Sequence, residues 1–151
     1  MTYKTNPNST VLLYLLGFLG LGAIGGGGLF ILSPSGKLFG MPLSMLDTSP
    51  FPDFLIPGII LFVVLGLIPC GLVVALLKKP VSKLAERINF FSDMHWTWTG
   101  TVYVAFALII WLQAEMMFLQ AVGWLHTLYM VWAIAILFFA LLPDVRGLYR
   151  K

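Results

Sequence analysis

The chain reads as an all-α membrane protein: a four-helix transmembrane bundle with an outer Pro/Gly-rich loop and a short cytoplasmic amphipathic helix. Three observations predict this. Of 151 residues, 60% are hydrophobic and 10% charged, whereas an ordinary soluble domain carries about 25% charged residues. The apolar residues gather into four long runs and do not alternate, which excludes the strands of a membrane barrel. The connections are brief, so residues 1–151 are expected to form a single integral membrane domain.

The runs cover about residues 11–32, 54–77, 96–119 and 125–142. Each approaches the ~20 residues that cross a bilayer as a helix. Backbone groups in lipid have no water to bond, so each run must satisfy its own as a helix. The first run is too long for the apolar stretch of a signal peptide, and no A-x-A site follows it. It carries Gly17, Gly20, Gly22 and Gly25 through Gly28. Gly22 and Gly26 form a GxxxG pair and are expected to make the closest helix crossing, because glycines let backbones approach in lipid. In the second run Pro69 cannot donate to the Leu65 carbonyl, which predicts a kink over 65–69. A turn from Asp53 to Pro57 should lead into that helix.

Basic residues set the orientation. Lys4 precedes the first run, and Lys37 lies in the first connection. Lys78, Lys79, Lys83 and Arg87 lie in the second connection, and Arg146, Arg150 and Lys151 in the tail. The positive-inside rule therefore puts both termini and the second connection in the cytoplasm. In that connection Val81, Leu84, Ala85, Ile88 and Phe91 recur at helical spacing, as in a helix lying on a membrane surface. The outer connection, 33–53, is rich in proline yet also apolar, with Leu38, Phe39, Met41, Leu43, Met45, Leu46 and Phe51. It should fold back on the bundle, either as a lid over an outward cavity or as a packed cap.

Function classes are narrowed by what is missing. Cys70 is the one cysteine, so an intramolecular disulfide or dithiol chemistry is excluded. The net charge of +3 comes from basic residues beside the spans. It points to anionic headgroups and not to nucleic acid. No spacing of donors predicts a metal site, no motif predicts a cofactor, and no nucleophile–base arrangement predicts an enzyme.

Two polar clusters remain. Toward the cytoplasm, Asp93, His95, Trp96 and Trp98 open the third run. Asp93 is expected to cap the helix, His95 to meet headgroups, and the two tryptophans to sit in an aromatic belt. Toward the outside, Glu115 is the only charged residue inside any run. It lies ~29 Å along the helix from Trp96. Trp111 is one turn away, and Gln113, Gln120, His126 and the loop residues Asp47 and Asp53 face the same side. A carboxylate at that depth is costly unless protonated, paired or wetted. Glu115, Trp111, His126 and Gln113 are therefore the candidate ligand-binding residues.

At Ser33-Pro34-Ser35-Gly36, Gly40-Met41-Pro42, Ser49-Pro50-Phe51, Ile56-Pro57-Gly58 and His95-Trp96-Thr97-Trp98 the chain resembles a group of small four-span bacterial inner-membrane proteins of unknown function. The resemblance implies a multi-pass bacterial plasma-membrane protein and no activity. The expected role is a non-enzymatic scaffold or accessory subunit, with membrane lipids as partners and a homo-oligomer or larger membrane complex as its setting. Two alternatives stand beside it: a binding protein for a lipid, quinone or other amphiphile with its pocket near Glu115, and a proton-coupled transporter or channel subunit.

Overall fold

A computed structural model of the chain describes residues 6–151. Lys4, used above for orientation, lies outside the described residues. Four helices are long and apolar enough to cross a membrane: α1 (Pro7–Leu32), α2 (Leu55–Lys78), α4 (Trp96–Leu119) and α5 (Trp124–Leu141). Among the described residues there are also two short α-helices, α3 (Lys83–Arg87) and α6 (Pro143–Tyr149), and two single 3-10 turns in the first connection, Lys37–Phe39 and Leu43–Leu46. No strand occurs among the described residues, only an isolated bridge between Met94 and Arg150.

The burial pattern fits lipid as solvent. The most apolar stretch of α2 has a mean hydropathy of 3.0, yet only 33% of it is buried within the chain. Tyr14, Phe18, Leu21, Ile110, Met117 and Phe138 all point outward. In water that surface would drive aggregation.

Local chemistry sets the helix ends. The α1 helix begins at Pro7, four residues before the apolar run. Asn6 caps it by accepting the Asn8 N–H at 3.1 Å, Ser9 answers by accepting the Asn6 N–H at 3.2 Å, and Pro7 takes the first helical position. Asp53 accepts the Leu55 N–H at 2.9 Å and starts α2. That helix ends at Lys79, in the left-handed region at φ 47°, just before Pro80. Pro143 stops α5 and opens α6.

In packing, α1 contacts α2 and α5, while α4 contacts α5 and α2. The helices thus form a ring in which α1 and α4 are diagonal. The closest crossing is α1 on α2, but it does not use Gly22 and Gly26. A Cβ on Gly20 would fall 2.9 Å from the Gly66 carbonyl oxygen, and one on Gly27 would fall 2.6 Å from the Phe62 nitrogen. Gly20, Ala23 and Gly27 lie three and four residues apart, on one helix face. Gly22 and Gly26 are turned away from that face, and a Cβ there would meet only Tyr129 at 3.5 Å and Leu61 at 3.6 Å.

The partner helix matches this spacing through an irregularity. Gly27 and Gly20 are seven residues apart, but their partners Gly58 and Gly66 are eight apart. Between the partners, Leu61–Leu67 is a π-helical segment, in which the Ile68 N–H reaches back five residues to Val63. A π segment absorbs one extra residue and keeps both glycines on the same face. The expected distortion near Pro69 therefore takes this form. It lies just upstream of the proline, whose missing N–H frees the Leu65 carbonyl from its usual α-helical partner.

One end of the bundle gathers both described chain ends and most of the charge. The Asn6 amide donates to Asp144, as does the Asn8 amide at 2.7 Å. Lys151 Nζ lies 2.6 Å from Glu86, the Lys151 N–H donates to the Asp93 carbonyl, and Lys79 Nζ donates to the Leu148 carbonyl at 2.7 Å. At the opposite end, residues 33–54 fold onto the helices. Phe30 stacks on Phe54 at 5.0 Å and meets Phe39 at 4.7 Å, and Thr48 Oγ1 donates to the Phe118 carbonyl. Gly36, at φ 73°, is required there because a Cβ would strike the Met41 carbonyl and the Phe54 ring.

Candidate functional site

At the loop end the diagonal helices α1 and α4 part around a central cavity of about 340 Å³. Gly22, Ala23 and Gly26 of α1 supply its small-residue wall, and Leu61 and Leu65 of α2 an apolar one. Trp111, Leu112 and Glu115 face it from α4, and His126 and Tyr129 from α5. Phe39 and Met41 of the loop close its end. Gly22 and Gly26 therefore make room here; they do not make the tight crossing.

A second cavity of about 280 Å³ lies beside the first, between α2, α4 and the loop. Ser49, Phe51 and Phe54 line it from the loop side, and Ala114 and Phe118 from α4. Phe30, Met41, Leu61, Trp111, Glu115 and Leu119 border both spaces. Glu115 is thus a carboxyl group in the partition between two apolar cavities.

Its neighbour is His126. The Nε2 of His126 lies 4.0 Å from Glu115 Oε2, and the two side chains are 16% and 31% exposed. His126 occupies the first turn of α5, where its Nδ1 accepts the Gly123 N–H at 3.0 Å. That bond makes Nδ1 an acceptor, so the neutral ring carries its proton on Nε2, the nitrogen nearer Glu115. A separation of 4.0 Å is too long for a direct hydrogen bond. The Trp111 side chain, one helical turn before Glu115, borders both cavities with it.

The remaining candidates fall elsewhere. Gln113 is exposed and lines neither cavity. Two residues along a helix correspond to about 200° of rotation, which turns it away from Glu115. Gln120 ends α4 in the left-handed region at φ 51° and donates to the Met117 carbonyl. Asp47 is exposed, and Asp53 is used in starting α2. Tyr129 was missed in the sequence, although its position three residues after His126 puts it on the same helix face.

The cluster at the charged end divides in a similar way. Asp93 is exposed and does not cap α4; His95 does, with Nδ1 accepting the Thr97 N–H at 3.3 Å. Burial pushes the His95 imidazole below its ordinary pKa, since a charged ring loses water there. Trp98 is 2% exposed and donates to the Ala140 carbonyl at 2.7 Å, so it is a core residue and not part of a belt. Trp96 is half-buried and donates to the Pro80 carbonyl at 2.7 Å.

Fold and site together define a class: a four-helix, membrane-type bundle with a carboxyl group between two apolar cavities and an imidazole facing it across one of them. No family model matches the chain, and no curated protein or solved structure matches it.

Proposed function

We propose that this protein is a non-enzymatic, membrane-embedded binding protein for a hydroxyl-bearing amphiphile, such as a lipid or the reduced, quinol form of a quinone. The apolar body of the ligand occupies the two cavities, and its polar group sits between Glu115 and His126. The observation that carries this reading is the shared position of Glu115 on both cavity walls, with the His126 Nε2–H 4.0 Å away. A hydroxyl oxygen ~2.8 Å from each atom spans that gap, accepting from His126 and donating to Glu115. A carboxyl group kept at this depth costs stability. A scaffold role alone would be served as well by an apolar residue. The buried polar side chains among the described residues are Ser9, Thr97, Thr99 and Thr101, all toward the charged end. They offer a proton or ion no continuation from Glu115.

In this reading the charged end faces the cytoplasm, following its lysines and arginines, and the cavities open in the outer leaflet of a bacterial plasma membrane. The α3 helix, with Leu84 exposed beside Lys83 and Arg87 and Ile88 exposed just past its end, lies on the inner leaflet. The test is thermal unfolding in nanodiscs with added 1-dodecanol or dodecane. The alcohol should raise the unfolding temperature of the parent more than the alkane does. Gly26→Leu, which fills the central cavity, should abolish the difference. Equal responses to both additives, or an undiminished difference in Gly26→Leu, would overturn the reading.

A further inference from the structure

A separate cavity of about 280 Å³ lies at the charged end, between the end of α5, the turn before α4, and α6. Arg146, Arg150 and Asp93 supply its charge, and Met94, Leu141 and Pro143 its apolar wall. Neither arginine makes an ion pair within 4.0 Å among the described residues. The other carboxylates at this end are engaged: Glu86 with Lys151, and Asp144 with the Asn6 and Asn8 amides. The Arg146 guanidinium lies 5.6 Å from the Trp98 ring centroid, a contact over the ring face that leaves its N–H donors free of protein hydrogen bonds among the described residues. Two guanidinium groups against one carboxylate leave one positive charge, which a phosphodiester balances.

The surroundings favour a lipid as the source of that phosphodiester. Val131, Ile134, Phe138 and Leu141 are exposed apolar residues of α5, three to four apart. They form a stripe that ends at the cavity, and acyl chains can lie along it while the headgroup sits between the arginines. We propose that Arg146 and Arg150 bind the phosphodiester headgroup of a membrane phospholipid, with Asp93 accepting from hydroxyl or ammonium donors on the headgroup. Planar guanidinium groups suit a phosphate by paired hydrogen bonds.

Gly147 supplies a clean probe, because it lines the cavity and a Cβ there meets nothing within 4 Å. The experiment is native mass spectrometry of the full chain titrated with phosphatidylglycerol, with and without millimolar inorganic phosphate. Retained phosphatidylglycerol should fall about thirtyfold in the Arg146→Gln/Arg150→Gln double variant, given the attraction each basic residue contributes near anionic lipid. It should also fall in Gly147→Leu, which keeps every charge. It should hold in Lys78→Gln/Lys83→Gln, which removes equal charge elsewhere at the same end. Full retention in Gly147→Leu, or an equal loss in the lysine variant, would overturn the site. Displacement of the lipid by inorganic phosphate would overturn the lipid and leave a free-anion site.

Discussion

Gly27 and Gly58 face each other across the α1–α2 crossing with no room for a methyl group on either. A Cβ on Gly27 would fall 2.7 Å from the Gly58 carbonyl oxygen. A Cβ on Gly58 would fall 3.1 Å from the Gly27 carbonyl oxygen and 2.7 Å from Phe30 Cβ. The atoms in the way are mostly backbone, which cannot swing aside. This pair, with Gly20 and Gly66 two turns away, sets the distance between the first two spans.

Gly27→Ala should therefore destabilise the bundle by about 1–3 kcal/mol, the usual range for forcing atoms into a packed site. Gly25→Ala meets nothing within 4 Å and should be neutral or stabilising, since alanine is the better helix former. Unfolding in detergent distinguishes them. Equal stability of the two variants would show that the crossing does not depend on Gly27.

The π segment yields a sharper expectation. If Leu61–Leu67 exists to absorb one residue, deleting Val63 together with Pro69→Ala should convert it to α-helix. Gly58 and Gly66 would then stay aligned at seven-residue spacing. Deleting Val74, beyond the segment, should instead rotate the end of α2 by about 100° against its neighbours and lower stability. Circular dichroism with thermal unfolding reads both. Greater damage from the Val63 deletion would contradict the account.

How much of this was legible in the sequence follows from what each signal measures. Hydropathy located the four spans, because lipid imposes the same requirement on every outward face. It missed the start of α1, where Asn6 and Pro7 act through capping and carry no apolar signal. A GxxxG spacing marked Gly22 and Gly26 as a seam, but which glycine face meets a neighbour depends on the partner. Gly58 and Gly66, eight apart, match Gly27 and Gly20 only through a π segment that no periodicity displays. Glu115 stood out because charge in a span is rare; Trp111 followed from helical spacing, and His126 from its place just past the end of the same span. The misplacement of Gln113 was avoidable, since two residues reverse the face. Trp98 was misread because a tryptophan near a span end suits an interface and a core alike; only the Ala140 carbonyl decides between them.

His95 predicts a pH dependence at the charged end. Its native pKa is depressed by burial, so the unfolded chain takes up this proton at higher pH than the folded one. The stability associated with neutral His95 is complete above the ordinary value of about 6.5 and is lost as pH falls below it. His95→Asn keeps a capping acceptor for Thr97 and does not titrate. The unfolding temperature of the parent relative to His95→Asn should fall between pH 7 and pH 5, by an amount that a thermal scan in buffered detergent measures. A constant difference across that window would show that His95 keeps its ordinary affinity for protons.

In the proposed function, Glu115 and His126 hold the polar group of an amphiphile. The most direct measurement is mass spectrometry of small molecules extracted from the protein after purification in mild detergent. The parent and Glu115→Gln, which retains shape and hydrogen bonding, are compared with Glu115→Leu and His126→Leu. A hydroxyl-bearing amphiphile should be found near one per chain in the parent, reduced in Glu115→Gln and absent from both leucine variants, while bulk phospholipid stays constant. The same extract from all four proteins would contradict it.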